Sequence, residues 1–177
     1  KPMVGAEVKV GSRISGVVKQ LRANIGDHVK AGQVIAELDD AELQARLTQN
    51  LAALAKSQAD LRYARTTFER DKTLLAKDLI AQQQADQSET ALKVAEAQLM
   101  QAEANVDYAR VQLSYAKIFS PTSGVIASVS TQEGETVSAS LAAPTFVSII
   151  DLRRLEVQAF VDETDIGKIH VRQEASF

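Results

Sequence analysis

Asp39, Asp40 and Glu42 form a close-set group of carboxylates that could divide acid and base roles between them, one protonated and one ionised. The same residues stand at the spacing of a helix start, with Asp39 at the cap and Glu42 three positions on. Capping of orphan backbone N–H groups accounts for them without chemistry. His28 and His170 have no second ligand at usable spacing and read as solvated or structural rather than metal-binding. Met3 and Met100 are too few and too far apart for a methionine copper site. The absence of cysteine excludes a thiolate metal centre and a cysteine nucleophile. A net charge of −3 and a pI near 5.5 give no basic footprint for nucleic acid. No segment is both long and apolar enough to span a bilayer, and 45% apolar content with mean hydropathy −0.11 fits a soluble protein. The opening KPMVGAEV lacks a charged-then-apolar leader, which reads as a processed chain or one whose start is absent.

With so little chemistry on offer, the informative feature is architectural. Residues 33–120 contain neither glycine nor proline, and within them apolar residues return every seventh position in two series. The first is Leu47, Leu54, Leu61, Phe68 and Leu75; the second is Leu92, Leu99, Val106 and Leu113. A sustained repeat of seven keeps one seam facing a partner helix, the pattern of a left-handed coiled coil. Ala95, Ala102 and Ala109 follow three residues after members of the second series and let the helices approach closely. Between the series, KDLIAQQ at 77–83 has no periodic apolar residue, and a fold-back near position 80 pairs Leu61 with Leu99 and Phe68 with Leu92. The alternative is one uninterrupted helix dimerising with another chain. An arm of about 35 residues would reach about 50 Å.

The flanks argue for the hairpin. The segments before and after the arm share a strand-and-turn grammar and can be superposed: Ser15, Gly16 and Val17 on Ser123, Gly124 and Val125, and Gly26, Val29 and Ala31 on Gly134, Val137 and Ala139, all displaced by 108 residues. Beyond Ala139 the displacement grows to 112, placing an insertion around Ala142 to Pro144. The recurring glycines, Gly16, Gly26, Gly124 and Gly134, suit turns with positive φ or close backbone approaches. Two half-motifs this small cannot each bury a core, so they should close on one another into one β-sandwich. Helices that leave and re-enter one sandwich must return to the same place, with Pro121 as the stop after the second. After Asp151, Leu155, Val157, Ala159 and Val161 alternate as a strand, and DETDIGKI reads as a turn. Two or three strands cannot close a sheet, so this segment reads as the beginning of another β domain.

The order SGVV…GDHVKAGQVIAELDD, long hairpin, SPTSGVI…GETV…VSIIDL resembles the split lipoyl domain of periplasmic adaptor proteins, also called membrane fusion proteins, of the HlyD and MacA type. The closing LEVQAFVDETDIGKIHVRQEASF resembles the family's entry into its barrel domain, with Arg172 where glycine is usual. The resemblance implies an α+β chain: a split lipoyl-like β-sandwich, or barrel-sandwich hybrid, with an inserted antiparallel coiled-coil hairpin and the start of a second β-barrel domain. The corresponding boundaries are 1–39, 40–116, 117–152 and 153–177. It further implies a non-enzymatic periplasmic subunit, anchored at the inner membrane in its full-length form. Such adaptors assemble as rings, commonly hexamers, and bridge an inner-membrane pump of ABC or RND type to a TolC-type outer-membrane channel. At the tip the family carries an arginine, a leucine four residues on and a serine seven after that as channel contacts. Arg70 and Leu74 match, and Ala81 replaces the serine. Asp40 stands about where a true lipoyl domain carries its cofactor lysine, which removes swinging-arm chemistry and implies no cofactor. A structural coiled-coil tether without a conduit is the competing reading, and ring formation separates the two.

Overall fold

The structure, a computed structural model, describes residues 2–4, 7–139, 145–151, 155–157 and 170. Its strands and helices run β1 (Pro2–Val4), β2 (Glu7–Gly11), β3 (Gly16–Leu21), β4 (His28–Val29), β5 (Val34–Leu38), α1 (Ala41–Leu75), α2 (Gln82–Ser114), β6 (Lys117–Phe119), β7 (Gly124–Val129), β8 (Thr136–Val137), β9 (Thr145–Ile150) and β10 (Leu155–Val157). Two four-stranded antiparallel sheets form the body, in the orders β2-β9-β7-β4 and β6-β5-β3-β8. Each half of the split motif therefore gives two strands to each sheet, and neither half holds a complete sheet of its own.

The displacement seen in the sequence has its physical cause in matched hydrogen bonds. Gly26 N–H donates to the carbonyl of Ile126, and Gly134 N–H to that of Val18, its counterpart 108 residues away. Ala31 N–H donates to Ser123 Oγ and Ala139 N–H to Ser15 Oγ, each at 3.0 Å, so the repeated serines tie each half to the other. The buried Ser12 and Ser120 hydroxyls both donate to the carbonyl two residues on, at 2.5 Å. Between the sheets, Ile35, Ala36, Phe146, Val147 and Ile149 are fully buried, and removal of this apolar surface from water drives closure.

Gly26 and Gly134 sit in turns at φ 91° and 83°. Gly16 and Gly124, by contrast, head strands β3 and β7 rather than turning the chain. The reason for glycine at 124 is close approach: a Cβ there would lie 2.4 Å from the carbonyl oxygen of Ile150.

The arm folds back where its repeat lapses. The heptad leucines on both helices are half-buried, whereas Ala64, Ala85, Ala95, Ala102, Ala109 and Val106 are buried. Alanines form the line of closest contact, and the leucines flank it with their outer edges in water. The matching row on α1 is Asn50, Ser57, Ala64 and Asp71, of which Asp71 is buried near the tip. Asn50 donates Nδ2 to the carbonyl of Asn105 across the seam at 3.2 Å.

Two local expectations are corrected, and one pairing is new. The cap of α1 is Asp40, one residue later than Asp39; it makes no side-chain cap bond, and Asp39 Oδ1 instead accepts from Ala41 N–H at 3.1 Å. Pro121 does not stop α2, because that helix ends at Ser114 and strand β6 intervenes. The segment after Asp151 supplies β10, which pairs antiparallel with β1 at the other end of the sequence, a pairing the sequence reading did not contain. Ala159, Val161, DETDIGKI, Arg172 and the insertion at 142–144 lie outside the described residues.

Candidate docking site at the tip of the arm

The turn at the tip is built by its backbone. Leu79 N–H donates to the carbonyl of Leu74 at 3.0 Å and Asp78 N–H to that of Leu75 at 2.9 Å, the paired bonds of a Schellman motif. The motif needs a left-handed residue between them, and Asp78 takes that place at φ 55°, where glycine or asparagine is usual. Asp78 therefore closes α1 and leaves the start of α2 to Ala81. Ala81 has cap geometry, φ −73° and ψ 147°, with its carbonyl accepting from Gln84 N–H at 3.0 Å and no side-chain cap bond.

A serine at that position would accept from the orphan N–H groups of the first turn, and Gln84 would complete a capping box. Ala81→Ser is expected to stabilise the protein by about 0.5–2 kcal/mol, read as a higher urea midpoint with slower amide exchange over 82–85. An unchanged midpoint and unchanged exchange would count against the cap.

Arg70 and Leu74 lie one turn apart on α1, Arg70 exposed and Leu74 half-buried. They come to the same end of the arm as Ala81. Leu79 was not singled out from the sequence, yet it is 65% exposed at the apex, beside half-buried Ile80. A leucine within the non-periodic segment KDLIAQQ, where no seam requires it, was the available signal. Arg70, Lys72 and Lys77 stand here among the carboxylates of Glu69, Asp71, Asp78 and Asp86, so the tip carries charge of both signs. The tip thus combines an exposed apolar anchor with charged side chains on a short, hydrogen-bonded turn.

The remaining candidates are dispersed. Gly16, Gly26, Gly124 and Gly134 belong to the body, an arm's length from Arg70, Leu74 and Ala81. Asp40 Oδ2 accepts from Gln44 Nε2 at 2.7 Å and is a helix-start residue. His28 begins the exposed edge strand β4, and Met100 lies in water on α2. Among the described residues no three His, Cys, Asp or Glu side chains gather as a metal site, and no helix is long and apolar enough to cross a membrane.

Comparison with known proteins gives this arrangement its relatives. Residues 6–149 match the family described as RND MFP, barrel-sandwich hybrid domain. The macrolide export protein MacA of Yersinia pestis is 32% identical over 185 residues, covering 97% of this chain and 50% of its own length. The pyoverdine export membrane fusion protein PvdR of Pseudomonas putida is 35% identical over 184 residues, covering 96% and 47%. The crystal structure of a MacA–MexA chimeric protein, containing the Pseudomonas aeruginosa MexA α-hairpin domain, matches with a TM-score of 0.70 at 31% identity, over 96% of this chain and 56% of that one. The chain spans about half the length of the curated relatives it matches. Two interlocked half-motifs with a helical hairpin between them, matched to the family across 6–149, place this chain among the RND membrane fusion proteins.

Proposed function

We propose that the protein is the periplasmic adaptor of an export assembly. It is a non-enzymatic subunit that forms a ring, commonly a hexamer in this family, held at the inner membrane in its full-length form. Its body engages an inner-membrane transporter of ABC or RND type, and its arm reaches a TolC-type outer-membrane channel. The observation that carries this reading is the arm itself: two helices of 35 and 33 residues, inserted between the half-motifs, ending in a tip that exposes Leu79 and Arg70 to a partner. The names of the relatives, a macrolide export protein and a pyoverdine export membrane fusion protein, support an export role.

The test is pull-down of a TolC-type channel together with export complementation. Arg70→Ala and Leu79→Ala are each expected to weaken channel binding by about 1–2 kcal/mol, roughly five- to thirty-fold, with little loss of stability for Arg70→Ala, whose side chain is exposed. Leu74→Ala is expected to weaken binding and also loosen the turn, since Leu74 stands at the motif position whose side chain meets that of Leu79. Full binding by all three variants would move the docking surface away from the tip.

A further inference from the structure

The 108-residue displacement extends back to the edges of the two sheets. Lys9, Val10 and Ser12 of the first half recur as Lys117, Ile118 and Ser120 of the second, exposed, buried and buried in both. The strands that carry them, β2 and β6, are edge strands paired with β9 and β5, and they approach one another beside the end of α2. A groove of about 410 Å³ opens there with both lysines in its wall, a volume within the roughly 300–1,000 Å³ of small-molecule sites. Where the two halves differ, each difference adds to the groove. Gly11 is matched by Phe119, which is 47% exposed, and Pro121 is matched by Arg13. The Arg13 guanidinium lies 5.3 Å from the ring centroid of half-buried Tyr115, the residue that caps α2. Stacking on a ring orients the guanidinium plane and leaves its N–H edge free to donate.

Three cations therefore share one groove. Among the described residues its wall holds no acid, and none of the three has an acidic partner. The acids close by in register or sequence are engaged or lie beyond the wall. Glu37, opposite Lys117 on β5, pairs with Arg22 at 3.1 Å; Asp39 and Asp40 accept from Ala41 and Gln44; and Glu7 lies two residues from Lys9 along β2. The carbonyl end of α2 supplies about half a unit of negative charge, which offsets only a fraction of the three. Lysines on sheet edges also discourage edge-to-edge pairing, and they need no ligand for that. That role does not extend to a guanidinium stacked on a tyrosine beside an exposed phenylalanine and a proline. Unpaired positive charge next to open apolar surface matches a ligand that is both anionic and apolar.

We infer that this groove is a binding site for a small organic anion with a flat aromatic body. The carboxylate or sulfonate of the ligand accepts from the Arg13 fork, Lys9 and Lys117 supply further charge, and the ring lies on Phe119 and Pro121. Inorganic anions lack the ring and neutral aromatics lack the charge, so each binds more weakly. An occupant would bridge β2 of the first half to β6 and the end of α2, at the root of the arm. The site is separate from the tip, and its failure would leave the adaptor reading untouched.

Titration of the full chain with naphthoate, followed through its amide chemical shifts, tests the site. Saturable shifts are expected at 9–13 and 115–121, with naphthol and inorganic sulfate each binding roughly tenfold more weakly or worse. Arg13→Gln is expected to weaken naphthoate binding roughly tenfold, and Lys9→Gln with Lys117→Gln by a similar factor. Lys56→Gln, an equal loss of charge on the arm, should change nothing. All four side chains are exposed, so each variant should keep the wild-type melting curve. Naphthoate shifts that do not saturate, or that centre elsewhere on the chain, would overturn the site. Equal affinity for naphthol would reduce the groove to an apolar patch, and equal affinity for sulfate to a general anion trap; either result would overturn the ligand class. Unchanged naphthoate affinity in both the Arg13 and the lysine variants would show that these cations hold no ligand.

Discussion

Phe146→Ala is expected to remove about 3–5 kcal/mol of stability, the range for truncating a fully buried aromatic side chain. Phe146 is 0% exposed and lies on β9 among the buried Ile35, Val147 and Ile149, between the two sheets. The loss would reach both half-motifs together, because each sheet contains strands from both. Against a total of about 5–15 kcal/mol for a typical protein, the change is large enough to populate the unfolded state measurably. Urea denaturation followed by circular dichroism reads it directly. Phe146→Leu should recover more than half of the loss, since it refills most of the volume. A midpoint for Phe146→Ala within experimental scatter of the wild type would show that the core does not centre on this ring.

Gly124→Ala is expected to destabilise by about 3 kcal/mol or more, while the equivalent Gly16→Ala in the other half stays within about 1 kcal/mol. The two glycines occupy matching places at the heads of β7 and β3, so sequence alone treats them alike. Their surroundings differ. A Cβ at 124 would lie 2.4 Å from the Ile150 carbonyl oxygen and 2.8 Å from Ile149 Cγ2. The first is backbone in the β7–β9 ladder, where Val125 pairs with Ile150, and it cannot move without breaking that ladder. A Cβ at 16 would meet only the Leu38 side chain, Cδ1 at 3.6 Å and Cβ at 3.7 Å, which are ordinary contacts. Parallel denaturation of the two variants separates close approach from a shared requirement for glycine. Equal losses would remove the distinction.

Much of this architecture could be read in the chain because it depends on spacing. The glycine- and proline-free stretch, the heptad leucines and the lapse at 77–83 gave the hairpin and its turn. Ser15 and Ser123 recur because each bonds the opposite half, a constraint that leaves its trace as a constant displacement. What could not be read depends on contacts rather than periods. The polar seam row Asn50, Ser57 and Asp71 is invisible to an apolar count. The role of Asp78 follows from a left-handed backbone that its residue type does not announce. The tip was legible in Arg70, Leu74 and Ala81 only through family resemblance, and Leu79 emerged only once its exposure was seen.

The way the arm is rooted also decides how it transmits force. Only Asp39 and Asp40 separate β5 from α1, and only Tyr115 and Ala116 separate α2 from β6. Tension on the tip therefore has almost no slack to take up and enters β5 and β6, which are paired with each other. Both are drawn the same way, so the load between them largely cancels and passes to the next junction, where β5 pairs with β3. Pulled along their length, those strands are loaded in shear, with the ladder bonds sharing the strain at once instead of parting one by one. The arm is thus seated as a lever in a stiff socket, and mechanical failure is expected first at the uncapped start of α2 and only later at the root.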